Sequence, residues 1–355
     1  MLNIVLDYEA SALAAPQSFR DAVQAAANIL DSSIYDNITV TIQVGYNDWN
    51  NGVISNLGAS AVGGDSSGSY VSYSALRNAL ASHETSSLDQ SFVNSLPTTS
   101  SINGVSSLYV PSAIEKALGM ISPTASAIDG MIGIGSSVPT TDLVGVALHE
   151  LTHALGREPT SGSFDLGRYT SPGTHLFSNS SSAPASYFSI DGGVTKLADY
   201  GQTSDPSDFL NSGVQGPNDP FNEFYSGSTS QTLSTVDWQQ LDALGFDTTT
   251  VIGGTGYSGG STGGSSGGGT AGGGGGGHKG HKTVAAGAPG AVFAFADASG
   301  SDGHAVVPEL VHNGLLHLHD FHSVFAEASG SADGHAVVPE LVQNGLLHLH
   351  DFHIV

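Results

Sequence analysis

A thirteen-residue apolar segment with its polar groups at fixed spacing constrains this chain more than any other feature. From Leu143 to Leu155 the sequence LVGVALHELTHAL carries only His149, Glu150, Thr152 and His153 among hydrophobic and small residues. It reads as a buried helix over Asp142–Leu155, with Asp142 after Thr140-Thr141 as the N-terminal signal and Gly156 as the stop. Two histidines and a glutamate inside such a helix need partners, because a buried polar group without one costs about 1–3 kcal/mol. Imidazoles four residues apart stand one turn above each other on one helix face, so both can reach one ion. In H-E-x-x-H the glutamate beside the first histidine can lean over a metal-coordinated water and take its proton. The expectation is a metal site with His149 and His153 as ligands and Glu150 as general base.

Zinc suits neutral imidazole nitrogen, and a catalytic zinc keeps three protein ligands and a water. The third ligand has to come from elsewhere. Asp165 is the first choice, since the loop from Arg157 can fold it back under the helix; His175 and Glu223 are the alternatives. Tyr169 is a candidate for stabilising the oxyanion of a tetrahedral intermediate, against the plainer expectation of a core aromatic. Arg157 and Arg168 are two of eight basic residues, and pairing with Glu158 or Asp165 would explain them structurally.

Eight Lys and Arg against 32 Asp and Glu leave a formal charge of −24. That argues against a nucleic-acid partner, whose phosphates demand the opposite sign. Carboxylates this abundant could hold Ca²⁺, with Asp191, Asp199, Asp205 and Asp208 as candidates, although they lack EF-hand spacing. The absence of cysteine excludes disulfides and thiolate metal sites. No apolar run reaches the ~18 residues of a membrane span. The N-terminus has acids where the apolar core of a signal peptide would lie, so export is expected to proceed without a cleaved N-terminal signal.

Leu2–Leu6 reads as a first strand, Pro16–Leu30 as an amphipathic helix, and Ile38–Val44 as a half-buried, β-branched strand. Gly45–Ser69 reads as loops. Tyr73–His83 and Ser112–Leu118 suggest short helices, Ile128–Ile134 a strand before the motif helix, and Ser234–Gly245 a closing helix with Val236, Trp238, Leu241 and Leu244 turned inward. Residues 157–233 show little periodicity. The order implies an α+β domain, a mixed sheet backed by helices, over residues 1–250.

Residues 251–290, with almost pure Gly, Ser and Thr from Gly253 to Gly277, read as a flexible linker. Residues 291–355 hold a repeat: Asp302–His322 returns as Asp333–His353 and differs only at His312/Gln343. Asn313-Gly314 and Asn344-Gly345 between apolar runs predict two tandem β-hairpins. Their histidines (His317, His319 and His322; His348, His350 and His353) suit metal binding, and their open apolar edges suit self-association.

The segments VALHELTHALGR, DLGRYTSPG (165–173), YFSIDGG (187–193) and VDWQQLDALGFD (236–247), with the opening APQSFRDAVQAAANILDSSIYDNITVTIQVGY, resemble the secreted bacterial H-E-x-x-H metalloproteases of the zincin fold. The resemblance covers residues 1–250. It implies a zinc endopeptidase acting on protein or peptide substrates, with His149, Glu150 and His153 in the family's roles. In metzincins a third histidine or aspartate lies three residues past the helix-ending glycine. Here that position is Pro159, which cannot ligate. The terminal Asp351-Phe-His-Ile-Val355 resembles the ending of type I secretion substrates. The competing expectation is an extracellular structural or adhesive protein on a protease-like fold, assembling through its C-terminal repeats.

Overall fold

The structure, a computed structural model, describes residues 1–178, 180, 182–202 and 205–248. The linker and the two hairpins expected beyond them lie outside the described residues. Strand β1 (Asn3–Tyr8) leads through the short helix α1 (Ala10–Ala14) and the long α2 (Gln17–Ser33) to β2 (Thr39–Tyr46), which pairs with β1 in parallel. Pro16 precedes the first turn of α2, where its missing N–H costs nothing. The helix buries Phe19, Val23, Ala26, Ala27 and Leu30 along one stripe.

The stretch Gly45–Ser69, expected as loops, is not all loop. It holds the small ribbon β3 (Asp48–Trp49) and β4 (Ile54–Ser55), the strand β5 (Ala61–Asp65), and the start of β6 (Gly68–Ser72). Its glycines and serines hide β5 from a propensity reading, yet β5 is an antiparallel edge strand of the main sheet. Two helices follow, α3 (Tyr73–Ser82) and α4 (Ser87–Ser95), then β7 (Ser107–Pro111), which pairs with β6, and α5 (Ser112–Ala117). Helix α4 went unread although Ser86 and Asp89 form a capping box at its start.

Strand β8 (Gly130–Ile134) completes the main sheet, whose order is β1-β2-β8-β5 with three parallel strands and one antiparallel. The motif helix α6 (Leu143–Ala154) packs on β5 and β8 and alongside α2. Its approach requires glycine in the sheet. A Cβ on Gly130 would lie 2.6 Å from the Ala154 Cβ, and one on Gly63 would lie 2.9 Å from the Glu150 Cα. The Lys116 ammonium, buried, bonds the Thr39 carbonyl at 2.8 Å and Asp129 at 2.7 Å, tying α5 to the sheet.

Past α6 a short 3-10 turn (Ser163–Gly167) enters a second, antiparallel sheet. It consists of β9 (Arg168–Ser171), β10 (Thr174–His175), β11 (Tyr187–Phe188) and β12 (Ala198–Asp199), in the order β10-β9-β11-β12. Helix α7 (Thr235–Leu244) closes the fold, capped by Ser234 and Asp237 and ended by Gly245 at φ 110°. Leu241 and Leu244 are buried, and Val236 and Trp238 pack partly buried on the same core, which runs from Leu2 to Phe246. The molecule is therefore mixed α and β, with helices on a mixed sheet. Among the described residues no helix is long and apolar enough to cross a membrane.

Candidate metal centre

Helix α6 ends where Gly156, at φ 112°, turns the chain back. The Gly156 N–H bonds the His153 carbonyl and the Arg157 N–H bonds that of Thr152. His149, Glu150 and His153 are all but fully buried. The expected stacking of the imidazoles holds, with ring centroids 4.7 Å apart and the two Nε2 atoms 3.0 Å apart.

The third group that meets them is Asp208. Its Oδ1 lies 3.1 Å from His149 Nε2 and 3.1 Å from His153 Nε2. Asp165, the first choice from sequence, is elsewhere. Its Oδ1 accepts from Arg168 at 3.1 Å and its Oδ2 from the Gly162 N–H at 3.2 Å. Burial raises its carboxyl to about 6, against the pull of Arg168. The alternatives are not in the group either. The His175 ring stacks on Tyr169 at 4.1 Å in the second sheet, where burial lowers it to about 4. Glu223 lies against Gly201. Tyr169 is fully buried between His175 and Tyr187, so it is the core aromatic and not an oxyanion donor at this centre. Arg168 has the structural role expected of it, and Arg157 instead joins the centre.

Hydrogen-bond accounting decides the tautomers. His149 Nδ1 lies 2.8 Å from the Pro220 carbonyl and His153 Nδ1 lies 2.8 Å from the Arg157 carbonyl. Carbonyls only accept, so both Nδ1 atoms carry hydrogen, and each ring when neutral turns an Nε2 lone pair toward Asp208. Two imidazole nitrogens and a carboxylate oxygen within 3.1 Å of one another call for a shared proton or a metal ion between them, beyond the Arg157 Nη2 that reaches His153 Nε2 at 3.1 Å. Ligands on one tetrahedral Zn²⁺ at ~2.0–2.1 Å stand about 3.3 Å apart, close to this spacing. The donor set of two imidazoles and one carboxylate therefore fits a divalent transition metal.

Two further oxygens point the same way. Asp208 Oδ2 and Glu150 Oε1 are buried without a hydrogen-bond partner, an expense that a cation and its water would remove. Burial raises the Glu150 carboxyl to about 8, with His149 opposing and Asp208 adding to the shift. Although burial opposes it, His149 and His153 hold Asp208 well below the usual carboxylate range. Burial alone would lower His149, but Asp208 reverses that and leaves it raised.

Arg157, fully buried, clamps the loop that brings Asp208. Its Nη1 donates to the Ser207 carbonyl at 2.7 Å, its Nε to Thr152 Oγ1 at 3.1 Å, and its guanidinium lies 4.0 Å over the Phe221 ring. Its Nη2 is 3.1 Å from His153 Nε2 and 3.5 Å from Asp208 Oδ1. A metal on His153 would take over that nitrogen and leave Nη2 to Asp208.

Three comparisons add no name to this geometry: no family model matches the chain, and neither a curated protein nor a solved structure is significantly similar to it. Asp208 was legible only as one acid among several in a Gly/Ser-rich stretch. It lies 55 residues from His153, with no periodic element between them to signal the return.

Proposed function

We propose that the chain is an exported zinc-dependent endopeptidase, with His149, His153 and Asp208 as the metal ligands. The observation that carries this reading is the convergence of His149 Nε2, His153 Nε2 and Asp208 Oδ1 within 3.1 Å beside Glu150. A bound Zn²⁺ supplies Lewis acidity, bringing a coordinated water to a pKa of about 7 and polarising a carbonyl.

The residues of the chain do the rest. Glu150 takes a proton from the attacking water at its unpartnered Oε1 and delivers it to the leaving amine. Asp208 neutralises charge at the histidines, and the Pro220 and Arg157 carbonyls hold both rings in the ligating tautomer. Buried surroundings strengthen each of these interactions. Peptide amides are the substrate class that the resemblance to H-E-x-x-H metalloproteases implies.

The test is metal content and casein cleavage in the wild type and in Glu150→Gln. The reading expects one zinc at this centre in both, with cleavage reduced about 10²–10⁴-fold in the variant. Cleavage that survives in Glu150→Gln refutes the assigned base, and wild type without bound zinc refutes the site.

A further inference from the structure

Strands β1, β2 and β8 run parallel, and two acids stand where the first two of them end. Glu9 follows the last residue of β1, and Asp48 opens β3 just past the end of β2. The carboxyl ends of parallel strands are where open α/β sheets take their ligands. Glu9 is 7% exposed. Its Oε1 accepts from the Asn51 N–H at 2.9 Å, while its Oε2 is buried and receives no hydrogen bond. The side chain within its reach is that of Asp48, a second carboxyl that can only accept when ionised.

Asp48 is built into this place. Its Oδ1 accepts from the Ser11 hydroxyl at 2.6 Å, and that hydroxyl accepts in turn from the Tyr46 N–H at 3.2 Å. Two glycines in register on β2 and β8 let it approach the sheet. A Cβ on Gly45 would lie 2.6 Å from Asp48 Oδ1, and one on Gly133 would meet the Asp48 carbonyl.

Among the described residues neither carboxyl has a basic partner. Arg20 is the only Lys or Arg before Arg77, and it donates to the carbonyls of Ala12, Leu13 and Ala15 and to Gln17. Burial raises the Glu9 carboxyl, the Asn51 N–H opposes, and the charges of Asp48 and then Asp7 add to the rise. A buried carboxylate oxygen that faces a second carboxylate without a cation is costly.

We propose that Glu9 and Asp48 hold a hard divalent cation, Ca²⁺ or Mg²⁺, at the carboxyl end of the main sheet. Carboxylate oxygens are the donors such ions select. Glu9 Oε2 is the ligand that no other group claims, and the half-buried Asp48 leaves one side open to the waters that complete the shell. The ion ties the junction of β1 and α1 to the β3–β4 ribbon. It is separate from the first centre and does not require the chain to be a peptidase.

The experiment uses the full chain, passed over a chelating resin and resupplied with zinc. Equilibrium dialysis against Ca²⁺ and against Mg²⁺, thermal unfolding with and without each ion, and zinc content are compared for wild type, Glu9→Gln and Asp48→Asn. Glu9→Gln keeps the side-chain shape and brings an amide N–H to Asp48, so the fold is retained without the ion. Wild type is expected to bind one ion more than either variant. Its Tm should rise by about 5 °C at saturation, a rise that both variants lose while zinc content stays equal; the ion giving the larger rise is the occupant. Equal binding of both ions in all three chains overturns the proposal. So does a wild type whose Tm neither ion moves, which would mean that the two carboxyls share a proton. Binding that survives in Glu9→Gln and is lost only in Asp48→Asn also overturns it.

Discussion

His149 and Tyr225 donate to the same oxygen: the imidazole Nδ1 and the phenol hydroxyl each lie 2.8 Å from the Pro220 carbonyl. The carbonyl is thus fixed from two sides, and it in turn fixes the ring of a proposed metal ligand. Asp219, just before it, accepts from the Phe221 N–H at 2.8 Å and the Ser234 hydroxyl at 2.8 Å, so the start of α7 also holds this turn. Tyr225→Phe should leave the fold intact and weaken zinc binding by about 10-fold, the lower end for outer-shell partners. Competition with a chromophoric chelator measures this. An unchanged affinity would mean the turn holds Pro220 without the phenol.

Asp208 and Asp165 are separable by the same assay. Asp208→Ala should empty the first centre of zinc. Asp165→Ala should keep zinc but lose about 3–5 kcal/mol of stability, because it strands the buried Arg168 guanidinium. Zinc content and urea unfolding, measured on both variants, distinguish the roles. Zinc lost from Asp165→Ala in a folded protein would restore it as a ligand.

The close seating of α6 makes two glycines sensitive. Gly130→Ala places a methyl against Ala154 and should cost about 1–3 kcal/mol by overpacking. Gly63→Ala adds a second effect, since its Cβ would lie 2.9 Å from Glu150 Oε2 as well as from the Glu150 Cα. Casein cleavage should fall further in Gly63→Ala than in Gly130→Ala at equal stability loss. Chemical denaturation and activity together check it.

His83 sits between Asp36 and Asp247, at 3.1 and 3.6 Å. The hydrogen bond to Asp36 raises its pKa above 6.5, with burial opposing and Asp247, Asp36 and Asp89 adding to the rise. A raised folded-state pKa stabilises fully below the unfolded value, here near 6.5, and the contribution fades as pH climbs through the folded value. The stability gap between wild type and His83→Gln should therefore be wide at about pH 5.5 and narrow at about pH 8.5. The half-exposed imidazole keeps the effect modest. A gap that widens with pH contradicts the assignment.

Amphipathic and β-branched segments were legible where one element buries one face: α2, β2, β8, α6 and α7 all fall close to their sequence readings. Strand β5 was not. Its AVGGD sequence lacks strand character because the close approach of α6 forbids side chains at Gly63. Strand β7 was missed as well, a five-residue pairing partner for β6 in which Leu108, Val110 and the adjacent Pro111 are all buried, so no clean alternation marks it.

The sequence by itself determined the helix that carries the candidate ligands. Spacing of four residues puts His149 and His153 on one face whatever surrounds them, and an apolar helix forces that face inward. It also excluded thiolates and left Asp165, His175 and Glu223 as candidates for a third group. Only the tertiary structure brought Asp208 to the two imidazoles. Asp165 is nearer along the chain but is committed to Arg168, three residues on, whereas Asp208 arrives on a loop clamped by Arg157. Helical geometry is local and can be counted along a chain. The choice among distant acids depends on which loop packs against the helix, and that is settled by burial and by the partners each carboxylate finds.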